Sequence, residues 1–275
     1  MGKLNDKVAV VTGAPGVLCA VMCEALLAEG AKVALLDMRE EAALDLQRKL
    51  AAKGYTQTLV AAANVLERPT LEAARDKIIA TWGRIDILVN GAGGNHPKGT
   101  CAAEQMTPTT KREDSFFGLD LSAFEFVSRL NFTGSLLPAQ VFGEAMTAKG
   151  GSIINISSMS ATLPLTKVAA YSASKAAIDN FTRWLATHLA PMNVRVNAIA
   201  PGFFITDQNR FLMLEKDEKT LTARGNKVIA KTPMRRFGEP KDLVGALIFL
   251  VSDDASFITG TIIPVDGGFL AYSGV

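Results

Sequence analysis

Three residues of the chain, Ser158, Tyr171 and Lys175, have the types and the spacing needed to handle a carbonyl group. Tyr171 and Lys175 are four residues apart at the start of a segment with helical periodicity, so their side chains lie on one face. A cation beside a phenol favours the phenolate, which predicts a lowered pKa for Tyr171. Such a hydroxyl gives and takes a proton near neutral pH, and Ser158 adds a second hydroxyl for the same substrate oxygen.

The segment before Tyr171 predicts where these groups meet. An apolar run that contains Ile153, Ile154 and Ile156 is typical of a strand buried on both faces of a parallel sheet, and Ser158 follows it. Because open α/β sheets bind ligands at the carboxyl ends of their strands, Ser158 is expected to face Tyr171 there. Alone, a Tyr-x-x-x-Lys pair is more typical of a solvated surface helix. The nucleotide-site motifs described below favour the chemical interpretation.

Strands and helices alternate along the chain. Runs of β-branched residues are followed by segments with helical periodicity from Lys7 to Gly268, and residues 121–150 are predicted to form one long helix. The alternation predicts an α/β fold with a doubly wound, Rossmann-like parallel sheet. The 275 residues contain no repeat or linker, so we expect a single domain over 1–275.

Composition argues against several function classes. The 29 Lys and Arg residues against 27 Asp and Glu leave a net charge of +2 without a basic run, so neither nucleic acid nor a membrane surface is an expected partner. No long apolar run and no signal-peptide core are found, so we expect a cytoplasmic protein with a small-molecule substrate. Cys19, Cys23 and Cys101 lack metal-ligand spacing, which predicts reduced thiols and no metal site. Cys19 and Cys23 are expected to be packing residues.

The first strand, turn and helix predict a site for a dinucleotide pyrophosphate. The strand ends in Gly13, and the amides and positive dipole end of the following helix face the turn. Asp37 ends the second strand, where a carboxylate accepts hydrogen bonds from the adenosine ribose and repels a 2′-phosphate, so NAD is expected over NADP. Arg39 is the one feature that argues for NADP. Without the glycine turn, Asp37 would be interpreted as a helix N-cap.

Six motifs in order make the chain resemble the short-chain dehydrogenase/reductase family over essentially its whole length. The motifs are TGAPG, Asp37, NGAG from Asn90 to Gly93, Asn131, SS…YSASK, and PG…T followed by VDGG. The resemblance implies that Tyr171 is the general acid/base and that Ser158 polarises the substrate oxygen. Lys175 would lower the pKa of Tyr171 and hold the nicotinamide ribose, and Asn131 would support a proton relay. A homo-oligomer, a tetramer or dimer, is also implied.

The resemblance assigns the remaining residues of the NAD site by position. The pyrophosphate is expected at Gly13, Gly16, Val17 and Leu18, the adenosine at Asp37, Asn64, Val65, Asn90, Gly91 and Ala92, and the nicotinamide end at Tyr171, Lys175, Pro201, Gly202 and Thr206. The chain departs from the family pattern in four places, with Val17 and Cys19 for glycines, Asn64 for aspartate and Gly91 for asparagine. Because a β-branched residue adopts positive φ only at a cost, a strained or shifted pyrophosphate turn is expected at Val17.

Two long segments, an insertion at about 94–120 and a lid at about 203–232, are expected to overhang the site. With the closing VDGGFLAYSGV they resemble the sugar-acid branch of the family, in particular D-mannonate oxidoreductases (fructuronate reductases), and gluconate-type dehydrogenases are the nearest alternative. Candidate contacts to an anionic polyol are Asn95, His96, Ser158, Gln208 and Arg210. Lys98 is more typical of a solvated side chain, and Arg210 has Glu215 or Asp217 as alternative partners.

The glycine departures leave a second class of function open. A catalytically idle nucleotide-binding sensor could be built on the same fold, because a fold does not determine an activity. The joint presence of Asn131, Ser158, Tyr171 and Lys175 favours the enzyme.

Overall fold

The computed structural model describes residues 2–206 and 209–274. Its strands are β1 Val8–Thr12, β2 Lys32–Asp37, β3 Thr58–Ala62, β4 Ile87–Asn90, β5 Gly151–Ile156, β6 Val194–Pro201 and β7 Ile262–Val265. They pair in parallel in the order β3-β2-β1-β4-β5-β6-β7. The strand order reverses between β1 and β4, and sheets of this kind bind ligands at that point. The predicted doubly wound, Rossmann-like α/β fold is confirmed.

Helices cover both faces of the sheet. They are α1 Val17–Ala28, α2 Glu40–Ala52, α3 Arg68–Trp82, α4 Leu121–Ser128, α5 Gly134–Met146, α6 Ala169–Leu189, α7 Arg210–Met213, α8 Ala223–Lys231 and α9 Val244–Val251. One hydrophobic cluster joins α1, α2 and α9 to the sheet, and a second joins α3, α5 and α6 to the opposite face. In β5, Ile154 belongs to the first cluster and Ile153 to the second, as expected for alternate residues of a strand buried on both sides.

The single long helix predicted over 121–150 is present from Leu121 to Met146, with one irregular turn in its middle. A π-helical turn, Arg129–Thr133, separates α4 from α5. Two side chains at this turn donate hydrogen bonds to backbone carbonyls. The Asn131 amide donates to the Val127 carbonyl at 2.8 Å, and the Ser135 hydroxyl donates to the Asn131 carbonyl at 3.1 Å. Such π turns inside helices are often found at functional sites, and this one holds Asn131.

The insertion and the lid both have local structure. The insertion contains three short 3-10 turns, Pro97–Gly99, Arg112–Asp114 and Phe116–Gly118. The lid contains α7 and α8, joined by an antiparallel bridge between Leu214 and Leu221. Among the described residues, the helices are all too short or too polar to cross a membrane.

Candidate active site

Ser158 and Tyr171 meet as their spacing predicts. Ser158 lies just beyond β5, and Tyr171, on the first turn of α6, is close enough for the Ser158 hydroxyl to act on its pKa. Ser160 orients Ser158, because its backbone N–H and its hydroxyl donate to the Ser158 oxygen at 3.1 and 3.0 Å. The sequence analysis missed Ser160, although its position two residues after Ser158 fits a serine turn. The arrangement brings two hydroxyl groups to the place where one substrate oxygen would bind.

Lys175 lies beside the Tyr171 ring, with its Nζ 5.5 Å from the ring centroid. The ammonium donates to the Ile156 carbonyl at 2.7 Å, and burial lowers the pKa of Lys175 to about 8. Burial also raises the pKa of Tyr171 above its usual value, although the Ser158 hydroxyl opposes the shift. The prediction of a lowered pKa for Tyr171 is therefore wrong, because desolvation of the phenolate raises the pKa by more than Ser158 lowers it.

Asn131 connects the π turn to the start of the insertion. Its amide nitrogen donates to the Gly94 carbonyl at 2.7 Å, and its oxygen accepts from the Gly94 N–H at 3.3 Å. A Cβ on Gly93 would lie 2.8 Å from the Asn131 oxygen and 3.6 Å from Lys175 Nζ. Asn131 and Lys175 therefore both lie next to Gly93 on the side where a Cβ would project, and a side chain there would collide with Asn131.

The pyrophosphate turn forms without the expected strain at Val17. Gly13 has a φ of +64°, and a Cβ there would lie 3.0 Å from Ala92 Cα, so glycine is required at this position. Gly16 is the N-cap of α1, and Val17 is the first helical residue, with no positive φ. Of the two expected outcomes, strain at Val17 is wrong, because the helix begins at residue 17 and the turn through Gly13 and Gly16 is completed before it. Cys19 and Cys23 are buried in the core, as expected.

These residues fit a dinucleotide. The N-cap Gly16 has no side chain to cap α1, so the first-turn amides, including those of Val17 and Leu18, are left for a phosphate. Asp37 is 11% exposed and accepts from the Arg39 N–H at 2.8 Å, with Arg39 Nε 3.4 Å away. Arg39, not Asp37, is the N-cap of α2, so the alternative interpretation of Asp37 as an N-cap is excluded.

The predicted adenosine residues differ in their surroundings. Asn64 forms a local turn, in which its oxygen accepts from the Leu66 N–H at 3.0 Å, and Val65 is largely buried after it. Asn90 is only 1% exposed, and its amide donates to Asn155 at 2.8 Å and to the Ser135 carbonyl at 3.2 Å. The Asn90 side chain therefore lies inside the sheet, and its oxygen is buried without a hydrogen-bond partner among the described residues. Its place on the adenosine side stays a prediction.

The remaining predicted cofactor residues lie at or after the ends of strands β4 and β6. The N–H groups of Gly91 and Ala92 donate to the Thr12 hydroxyl at 3.1 and 3.2 Å, which joins β4 to β1 at the crevice. Pro201 ends β6, and a Cβ on Gly202 would lie 2.6 Å from Asp266 Cα. The Thr206 N–H donates to the Asn209 side chain at 2.8 Å at the start of the lid.

The candidate substrate residues lie on the insertion and the lid and make local contacts. Asn95 is exposed and donates to the Thr100 hydroxyl at 3.3 Å. His96 Nδ1 accepts from the Lys98 N–H at 3.3 Å, and its ring meets Phe126 edge-on.

Arg210 has an acidic partner in the lid, but a different one from those expected. Its Nη1 is 3.7 Å from a carboxylate oxygen of Glu218, not of Glu215 or Asp217. Lys98 is exposed, in line with its interpretation as a solvated side chain, and Gln208 lies outside the described residues.

Comparison with known proteins identifies the family. A family model described as enoyl-(acyl carrier protein) reductase matches residues 18–270. An uncharacterized oxidoreductase of Bacillus subtilis, UxuB, is 49% identical over 275 residues, which cover 99% of this chain and 98% of the relative. The chain belongs to the short-chain dehydrogenase/reductase family. The predictions of that family and of an oxidoreductase are confirmed.

Two solved structures of this family bear on the cofactor and substrate. A proposed D-mannonate oxidoreductase from Haemophilus influenza with bound NAD is 45% identical, with a TM-score of 0.94 over 100% of this chain and 98% of that one. A gluconate 5-dehydrogenase from Burkholderia cenocepacia, in complex with NADP and tartrate, is 29% identical, with a TM-score of 0.84 over 98% and 97%.

Proposed function

We propose that this short-chain dehydrogenase/reductase uses NAD(H) to interconvert the secondary alcohol and the ketone of a sugar acid such as D-mannonate and D-fructuronate. The proximity of the Ser158 hydroxyl to Tyr171, with Lys175 beside the phenol, is the observation that carries the reaction type. These groups lie at the carboxyl edge of the sheet, next to the turn that fits the pyrophosphate. NAD as the cofactor is supported by Asp37 and by the NAD bound in the Haemophilus relative.

The reaction divides between cofactor and protein. Bound NADH would supply the hydride for reduction, and NAD would accept it in oxidation. Tyr171 donates its proton to the carbonyl oxygen in reduction and takes it back in oxidation, while the Ser158 hydroxyl holds the same oxygen. The raised pKa of Tyr171 keeps the phenol protonated at neutral pH, which suits reduction. Lys175, with a pKa of about 8, is a nearby proton source for the phenolate that forms.

Support for the substrate class comes from the Haemophilus relative and from side chains over the crevice. Guanidinium groups on the lid, among them that of Arg210, are suited to a carboxylate, and the side chains of Asn95 and His96 are suited to hydroxyls. A gluconate-type dehydrogenase is the second candidate, favoured by the tartrate, itself a hydroxy acid, in the Burkholderia relative. The Burkholderia relative holds NADP, whereas a carboxylate at the position of Asp37 repels the 2′-phosphate of NADP. A preference for NAD therefore favours the first candidate over the second.

The test is an NADH-oxidation screen over fructuronate, tagaturonate, 5-ketogluconate and neutral ketoses, with NADH binding followed by fluorescence. We expect one keto acid to be reduced with the highest kcat/KM. Faster turnover of neutral ketoses than of every keto acid would contradict the sugar-acid assignment. NADH binding without turnover of any substrate would favour the idle sensor.

We also propose a cytoplasmic homo-oligomer. On α6, Trp184 is 58% exposed and stacks against Phe181 and His188, and exposed aromatic faces of this kind often mark contact surfaces. Sedimentation of the purified protein gives its oligomeric state, and a monomer at micromolar concentration would contradict the proposal.

A further inference from the structure

Four charged residues from three segments lie at the edge of the sheet that carries Ser158 and Tyr171, and we call them the mouth cluster: Glu104, Lys167, Arg224 and Lys227. Glu104 Oε2 accepts from Lys227 Nζ at 3.0 Å, and Glu104 Oε1 lies 3.8 Å from Arg224 Nη1. Lys167 is close enough to Glu104 to lower the pKa of its carboxyl, as do Lys227 and Arg224. Three cations therefore share one carboxylate.

The topology places this cluster over the substrate position. Glu104 belongs to the insertion after β4, Lys167 to the segment between Ser158 and Tyr171 after β5, and the two remaining cations to the lid after β6. The three segments leave the carboxyl ends of adjacent strands, which is the edge that carries Ser158 and Tyr171. The Cys101 N–H donates to the Lys167 carbonyl at 2.9 Å, which ties the insertion to the catalytic segment.

Arg224 is the member with unused binding capacity. Its side chain is only 21% exposed, and its Nε is buried without a hydrogen-bond partner in the part of the chain that the structure describes. Its contact with Glu104 is too long for a hydrogen bond. A buried donor of a charged group without a partner is costly, and a guanidinium satisfies its donors best with a carboxylate held in a bidentate fork.

We propose that Arg224, flanked by Lys167 and Lys227, binds the carboxylate of the substrate, and that Glu104 occupies this cation site until the substrate enters. This inference rests on the proposed function, because it requires an acidic substrate. The substrate carboxylate binds the Arg224 guanidinium from the crevice side, where Glu104 Oε1 lies 3.8 Å from Nη1. Glu104 then retains Lys227, so the insertion and the lid stay joined over the bound substrate.

The alternative cations fit this role less well. Arg210 is 44% exposed, lies 3.7 Å from Glu218 within the same lid, and belongs to a helix of four residues. A carboxylate bound by an exposed guanidinium gains less, because solvent competes for both groups. Lys98 is exposed and cannot form a bidentate fork.

The experiment compares Arg224→Gln, Arg224→Lys, Glu104→Gln and Arg210→Gln with the wild type, using NADH and both the best keto acid and the best neutral ketose. Lys231→Gln, which removes an exposed charge at the other end of α8, is the matched control. We expect Arg224→Gln to raise KM for the keto acid about ten- to hundredfold and to leave KM for the ketose within about twofold. Arg224→Lys should have a KM for the keto acid between those of the wild type and Arg224→Gln. Glu104→Gln should lower KM for the keto acid, because the Glu104 carboxylate no longer competes for the cations.

NADH binding and the melting temperature of each variant show whether it is folded, and Arg224→Lys preserves the test if Arg224→Gln does not fold. An unchanged KM for the keto acid in folded Arg224 variants, or a rise in Arg210→Gln alone, overturns the inference but leaves the proposed function standing. An equal rise for keto acid and ketose also overturns it, because the effect would then be structural. A wild-type preference for neutral ketoses overturns both.

Discussion

The Cys19 sulfur occupies the space that a side chain on Gly91 would need. A Cβ built on Gly91 would overlap Cys19 Sγ and would lie 2.9 Å from the Thr12 carbonyl oxygen. Cys19 is in the first turn of α1 and Gly91 follows β4, so the pair sets the distance between the helix that faces the pyrophosphate and a central strand. The two departures from the family pattern are therefore linked, because a side chain at 19 requires a glycine at 91.

Gly91→Ala is expected to destabilise the protein by about 1–3 kcal/mol and to weaken NADH binding, because an added methyl must displace Cys19 or α1. In the double variant Gly91→Ala with Cys19→Gly, the overlap with the Cys19 sulfur is removed, so the destabilisation should be smaller. The cost that remains comes from the close contact with the Thr12 carbonyl oxygen. Urea unfolding and NADH titration of both single variants and the double variant give the coupling free energy, expected to be about 1 kcal/mol.

Gly245→Ala, in α9, is the matched control for this cycle, because a Cβ there meets nothing within 4 Å. It should leave stability unchanged or raise it slightly. Strictly additive effects of the changes at 19 and 91 would show that the two residues are independent.

Tyr171→Phe is expected to lower kcat by about 10²–10⁴-fold, because it removes the proton carrier and keeps the ring. The ring still packs beside Lys175, so NADH affinity should change little. Steady-state kinetics on the best substrate and fluorescence titration measure the two effects. Tyr272→Phe, at an exposed tyrosine near the C-terminus, is the control. A Tyr171→Phe enzyme with nearly wild-type kcat would show that another group carries the proton.

Asp37→Ala is expected to narrow the preference for NAD over NADP by about ten- to hundredfold in kcat/KM. The substitution removes a carboxylate that repels the 2′-phosphate and releases Arg39, whose N–H and Nε both face Asp37 Oδ1. Arg39→Gln in the same background should restore part of the preference, and Arg39→Gln alone should leave NAD preferred. If the wild-type enzyme prefers NADP, Arg39 or a residue distant in sequence controls the ribose pocket.

The fold, and the proximity of the residues proposed as catalytic, followed from local patterns in the sequence. Alternating strand and helix periods predict a parallel sheet, and the four-residue spacing of Tyr171 and Lys175 fixes their common face. Predicting the position of Ser158 required one further rule, that ligands bind at the carboxyl ends of the strands of such a sheet. Each step depends on residues that are close in sequence or on a general property of the fold.

The features that sequence reasoning missed depend on contacts between distant segments. Arg224 and Glu104 are far apart in the chain and come together only when the lid and the insertion pack, so no spacing predicts their contact. Asn90 turns inward because Asn155, on the neighbouring strand, accepts its amide. The raised pKa of Tyr171 reflects burial, which no motif encodes.

The charge on Lys175 is expected to reduce stability at neutral pH. Burial lowers its pKa from its usual 10.5 to about 8. The unfolded chain therefore binds more protons than the folded one between these values, and the free energy of unfolding rises with pH from about 8 to about 10.5. Below pH 8 both states are protonated, and the full cost of about 3 kcal/mol is present.

Lys175→Met removes a cost of about 3 kcal/mol at pH 7 but also loses about 1 kcal/mol with the hydrogen bond to the Ile156 carbonyl, so it should stabilise the protein by about 2 kcal/mol. Turnover should be lost. Because the folded wild-type lysine becomes neutral above its lowered pKa, this gain in stability should shrink as pH rises, reach zero at about pH 10 and become a small loss at about pH 10.5, where only the missing hydrogen bond counts. Urea unfolding of both proteins at pH 7, 9 and 10.5 measures the effect, with Lys231→Met as an exposed control that should show no pH-dependent difference. A Lys175→Met protein that is less stable than the wild type at pH 7, or that keeps the wild-type rise with pH, would show that Lys175 is not held charged at a cost in stability.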